Sequence, residues 1–146
     1  MVFPDSSLLL VKPHILRSRK TGEVLSALKD KGFQIRGLLS VHLTNVMAEE
    51  LFDIYRGVFL NYNDMIQQLI ISPCLAVMVG CPSGGTVRSL RDACGPQNPV
   101  LGKTLRPEAI RTLFGVDAVN NAVHCTDLPD DGESECRYFF ETLAAL

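Results

Sequence analysis

The 146 residues, 47% hydrophobic and 21% charged, have the balance of a folded globular chain, of a size that buries a working core without disulfides or a structural metal. Fourteen Lys and Arg against sixteen Asp and Glu leave a net charge of −2, which excludes a bulk pull toward nucleic acid or an anionic membrane, so any phosphate binding must be local. Five cysteines, odd in number and without a CxxC pair, speak against a disulfide framework or zinc site and for a reducing, intracellular compartment.

No apolar run approaches the ~20 residues of a membrane span. Met1 to Pro4 lead into a strand-like run with no basic region ahead of it, so no export signal is expected. Neither repeats nor a linker interrupt the chain, and one domain over residues 1–146 is the expectation.

Ser7 to Val11 is wholly apolar and stopped by Lys12-Pro13, the pattern of a strand covered on both faces. A basic loop follows. Gly22 to Lys31 spaces Val24, Leu25 and Leu28 as a helix, which Gly32 would close. Phe33 to Leu43 alternates as a strand with one buried face, and Thr44 or Asn45 would cap a helix running to about Tyr55. Met65, Ile66, Leu69 and Ile70 stripe a second helix over Asn61 to Ile71, completing a helical hairpin.

Cys74 to Cys81 reads as another central strand, after which Ser83 is expected to cap a helix ending near Cys94-Gly95. A long loop toward Arg106 comes next. Pro107 suits the first turn of a short helix, Glu108 to Phe114, ended by Gly115. Asp130 to Leu143 forms a closing helix, with a short last strand somewhere before it. This order suggests an α+β sandwich, helices against a mostly antiparallel sheet.

Few residues stand out chemically. His124, in Asn121-Ala-Val-His-Cys-Thr-Asp127, is a nucleophile when neutral and can accept a phosphoryl group. Alone, such a histidine is more often a hydrogen-bonded part of the scaffold. Lys12, Arg91 and Arg111 are cations in separate stretches that suit a polyphosphate if they converge, which spacing does not show. Glu135 lies in the closing helix, where a carboxylate can fix an imidazole tautomer. His14 and His42 gain nothing from their surroundings. Gly84-Gly85 belongs to neither a GxxxxGK[ST] nor a GxGxxG pattern and reads as a helix start.

Val-Lys-Pro (11–13), Ser-Pro-Cys-Leu-Ala (72–76) and Asn-Ala-Val-His-Cys-Thr-Asp (121–127) resemble nucleoside diphosphate kinases, over essentially the whole chain. Gly-Pro-Gln-Asn-Pro (95–99), Arg-Pro-Glu-Ala-Ile-Arg-Thr-Leu-Phe-Gly (106–115) and the run from Asn121 to Gly132 are most similar to the homologue 7 branch.

The resemblance implies a ferredoxin-like α+β sandwich with a four-stranded antiparallel sheet. It also implies ping-pong transfer of the γ-phosphate of ATP through phosphohistidine at His124. By the same resemblance Lys12, Arg91 and Arg111 would hold phosphates, Asn121 the sugar hydroxyl, Glu135 the imidazole, and Mg2+ would ride on the phosphates with no ligand from the chain. A homo-oligomer and a cytoplasmic place follow as expectations.

Several positions depart from the family pattern. Phe52 stands where most members carry a tyrosine, and Asn61-Tyr62 where an aromatic pair clamps the base, leaving Tyr62 to stack. Gln97 replaces a small hydroxyl residue that binds phosphate, and Cys125-Thr126 replace Gly-Ser. The loop from Pro99 to Arg106 is longer than usual, and the usual C-terminal extension does not follow. In the family those two regions support oligomer contacts. Phe52, Asn61 and Gln97 support a rival expectation: a weakly active or inactive nucleotide-binding module of a centrosomal or ciliary microtubule protein.

Overall fold

In the computed structural model, which describes residues 1–146, β1 (Ser6–Val11) is buried along its whole length. Its leucines alternate between two cores. Leu9 and Val11 join Val77, Val79, Leu28, Leu90 and Ile110 on one face, while Leu8 and Leu10 join Ala76, Met78, Phe52, Leu69 and Phe139 on the other. A sheet covered on both sides leaves its central strand no polar face, which is why β1 shows no alternation.

With β2 (Gln34–Val41), β3 (Cys74–Gly80) and β4 (Val123–Cys125), β1 makes a four-stranded sheet in the order β2-β3-β1-β4, every neighbouring pair antiparallel. This is the ferredoxin-like α+β sandwich the sequence implied. The expected last strand contains His124 itself, paired with Leu10 and so sharing that residue's face.

Helices cover both faces: α1 (Pro13–Arg17), α2 (Thr21–Asp30), α3 (Asn45–Leu51), α4 (Tyr62–Ile70), α5 (Thr86–Cys94), α6 (Pro99–Leu105), α7 (Ile110–Phe114) and α8 (Gly132–Arg137). None is long and apolar enough to cross a membrane. Thr44 does cap α3, accepting the Met47 N–H at 3.3 Å, and a 3-10 turn, Asp53–Tyr55, carries the chain on to Tyr55.

Four expectations need correction. The basic loop after β1 is the helix α1, opened by Pro13, whose missing N–H costs nothing in a first turn. Ser83 does not cap α5. Its hydroxyl meets the Cys81 thiol, Gly84 and Gly85 turn the chain at positive φ, and Asp5, far away in sequence, accepts the Thr86 N–H and hydroxyl. The loop after Gly95 holds the extra helix α6, capped by Asn98, which accepts the Val100 N–H. The helix expected from Glu108 begins only at Ile110, with Ala109 extended ahead of it.

Two elements are less regular than their patterns. A bulge between Ile35 and Gly37 breaks the alternation of β2, an edge strand, and leaves Leu38 exposed. The closing helix passes from α8 into a π turn at Tyr138–Thr142 and then a 3-10 turn, Leu143–Ala145.

Candidate active site

β4 is an edge strand, three residues long, and what it cannot obtain from a neighbouring strand it takes from side chains. Arg111, on α7, donates through Nε to the Val123 carbonyl at 3.2 Å and through Nη1 to the Gly95 carbonyl, and its Nη2 lies 3.9 Å from the Cys125 sulfur. A guanidinium has five donors, so Arg111 ties β4 to the end of α5 while remaining a buried cation.

His124 is buried on the opposite face from Cys125, its ring 5.0 Å from Phe52 and 6.0 Å from Tyr55. Burial, then Lys12, then Arg111 hold its pKa well below the ordinary histidine value, so the imidazole is neutral at physiological pH. Its Nε2 is buried without a hydrogen-bond partner.

The Lys12 amine reaches the Val119 carbonyl at 3.3 Å and lies 5.6 Å from the centre of the Phe52 ring. Burial, with a smaller contribution from Arg111 and opposed by Asp117, lowers its pKa to about 7. Lys12 and Arg111 thus both act on the neutral imidazole, while Asp117 opposes the lowering at Lys12. An oxyanion group entering beside His124 would meet more positive than negative charge.

A cleft of about 840 Å³ opens beside β4, lined by Arg88, Arg91, Gln97, Arg106, Arg111 and Asp127 among others. Arg91 is exposed there. Asn121, fully buried, donates through Nδ2 to both the backbone and side-chain oxygens of Gln97 at 2.9 Å, while its own Oδ1 is left without a partner. Gln97 therefore meets another site residue as well as the cleft.

Two expected roles fall differently. Glu135 does not bond the imidazole: its Oε1 accepts the Thr126 hydroxyl at 3.0 Å, and Thr126 in turn accepts the Leu8 N–H. Partial burial raises the Glu135 pKa to about 7. Tyr62 does not line the cleft. Its partly buried ring packs against the second core with the Arg56 guanidinium 6.0 Å from its centre, whereas Phe59, Asn61, Met65, Gln97 and Ala118 surround a small crevice.

Sequence reading also missed two residues. Tyr55 supplies a phenol beside the histidine although Phe52 does not, and its hydroxyl donates to Asp127 at 2.9 and 2.7 Å. Placement in a 3-10 turn, off the period of α3, hides it from helical spacing. His14, dismissed as a loop residue, accepts the Ala122 N–H at 2.9 Å. No local pattern signals that bond, because its partners are 108 residues apart.

The nucleoside diphosphate kinase family model matches residues 5–144, and the chain belongs to that family. Nucleoside diphosphate kinase homolog 7 of Rattus norvegicus is 37% identical over 141 residues, covering 97% of this chain and 35% of the relative, so the chain spans about a third of that protein's length. The nucleoside diphosphate kinase of Chloroflexus aurantiacus is 29% identical over 94% of this chain and 87% of its own. Among solved structures, the Aquifex aeolicus nucleoside diphosphate kinase superposes with a TM-score of 0.83 at 25% identity, covering 94% of this chain and 96% of that one.

Proposed function

We propose that the chain carries phosphoryl groups between nucleotides through His124, acting as a nucleoside diphosphate kinase. The observation that carries this reading is the buried imidazole of His124, its Nε2 without a partner and its neutral form favoured by burial, Lys12 and Arg111. In the first half-reaction an imidazole nitrogen attacks the γ-phosphorus as the bond to the β–γ bridging oxygen breaks, leaving nucleoside diphosphate and phosphohistidine. In the second, a terminal β-phosphate oxygen of the acceptor attacks that phosphorus and the imidazole leaves neutral.

Lys12 and Arg111 would face the charge that spreads over the migrating group, and Arg91 would meet the outer phosphates from the cleft wall. Asn121, with Oδ1 unpartnered, is suited to accept a sugar hydroxyl. The cleft suits a polyphosphate that brings Mg2+ with it: most of its charged side chains are cationic, and its two carboxylates are engaged, Asp127 by Tyr55 and Asp92 by Arg106. The ion would be held through the nucleotide phosphates, and when bound it would neutralise their oxygens.

The rival, a nucleotide-binding module with little or no turnover in a ciliary or centrosomal protein, draws support from the base end. There Tyr62 packs against the second core outside the cleft, and only a small crevice remains. Incubation with γ-labelled ATP and Mg2+ separates the two. The enzyme takes an acid-labile, base-stable label that His124→Ala abolishes, and the module takes none.

A further inference from the structure

Ala122 is one of three non-glycine residues at positive φ, with φ +79°, and it stands two residues before His124. The Val123 N–H bonds back to the Asn121 carbonyl at 3.0 Å, so Ala122 is the centre of a left-handed γ-turn, a strained conformation for a residue with a Cβ. Asn121 and His124 leave this turn in opposite directions along the chain. Its shape therefore sets how the two side chains stand to each other.

Two bonds from one short segment hold the turn. The Ala122 carbonyl accepts the Lys12 N–H at 2.9 Å, continuing the β1–β4 ladder by one step. The positive φ swings the Ala122 N–H out of that ladder. Meanwhile the Lys12 carbonyl, which might otherwise have met it, takes the Ile15 N–H at the start of α1. Ala122 is fully buried, so its amide needs a partner inside the protein. The imidazole Nε2 of His14, 2.9 Å away, is that partner.

The bond requires a neutral ring with its proton on Nδ1, since Nε2 accepts. Burial, then Lys12 and Arg17, lower the His14 pKa to about 4, which keeps the acceptor in place at physiological pH.

We propose that His14 is a positioning residue for phosphoryl transfer: by accepting the Ala122 N–H it holds the strained turn from which β4 presents His124. Its contact is with backbone and not with substrate. The inference rests on the phosphotransfer reading of His124.

Two variants separate positioning from bulk. His14→Phe keeps a flat ring without an acceptor, and His14→Gln places an amide oxygen near the position of Nε2. In single-turnover labelling with γ-labelled ATP, the Phe variant should label His124 about tenfold or more slowly, the scale of loss expected from a small misplacement of a reacting group. ATP affinity should fall less than the labelling rate, because Arg91 stands on α5, away from the turn. The Gln variant should recover most of the rate. Hydrogen exchange of the Ala122 amide, read by NMR, should speed up in the Phe variant and not in the Gln variant.

If the Phe variant does not fold, the same comparison is made with His14→Leu, which also lacks an acceptor and is smaller. Labelling at the parent rate in the Phe variant, or a Gln variant no better than Phe, overturns the proposal. A wild-type chain that takes no label sinks the phosphotransfer reading and the positioning role together. One that labels while the Phe variant keeps pace sinks the positioning role alone.

Discussion

The two ends of the site are built on opposite principles. At the β4 end His124 is 2% exposed and Lys12 and Arg111 are each 4% exposed, with Arg111 bonded to the scaffold at both Nε and Nη1. Around Phe59 and Asn61 the neighbouring Val58 and Leu60 are 67% and 109% exposed, and the crevice is small. Stabilising developing charge needs fixed dipoles in a dry setting, whereas stacking on a flat base tolerates a looser wall. A chain can therefore alter its base end and keep the chemical end intact.

Arg111 and Arg91 test that contrast most strongly. Arg111→Ala should cut turnover at least about tenfold, or ~1.4 kcal/mol in barrier. It should also lower Tm by several degrees, because the Val123 and Gly95 carbonyls lose a charged donor worth about 1.5 to 3 kcal/mol. Arg91→Ala should lower turnover comparably while Tm barely moves, since Arg91 is exposed on the cleft wall. Steady-state kinetics with thermal melts of both variants read the difference. Equal Tm losses would erase the distinction between a buried and a surface cation.

The Lys12 amine gives the next effect. Its pKa of about 7, down from 10.5, means that a good part of the population has lost its proton at pH 7.5. An incoming phosphate restores the charged form, so nucleotide binding at that pH should take up a proton, and affinity should fall as pH rises through 7. Calorimetry in buffers of different ionisation enthalpy measures the uptake, which Lys12→Met should remove.

At the base end the effects should be smaller. Phe59→Ala should raise the nucleotide Kd about tenfold if Phe59 stacks, given ~1 to 3 kcal/mol for such a contact. Tyr62→Phe should leave Kd unchanged, because Tyr62 packs against the second core outside the cleft. The reverse result would return Tyr62 to the clamp.

The effect at Glu135 is one of pH on stability and not of turnover. Its folded pKa of about 7 exceeds the ordinary 4.5, so the folded state binds the proton more tightly than the unfolded state does. Its contribution favours folding below pH 4.5 and is lost as pH climbs to 7. Denaturant titrations should show stability falling across that window, and a flatter profile in Glu135→Gln.

Periodicity in the sequence carried the sheet and its covering helices, because apolar spacing records which faces must leave water. The apolar run Leu8 to Val11, the stripe on α4 and the capping Thr44 all follow from neighbours a few residues apart. Motifs likewise brought out His124, Lys12, Arg91, Arg111 and Asn121 as candidates, since residue type and order survive in one dimension.

What needed the tertiary structure is whatever depends on distant partners. Asp5 caps α5, Tyr55 meets Asp127, Glu135 turns to Thr126, and His14 accepts the Ala122 amide. Each of these is settled by which buried donor or acceptor lacks a partner once the sheet and helices have packed. A hydrogen bond of that kind has no period along the chain, so only the folded geometry decides it.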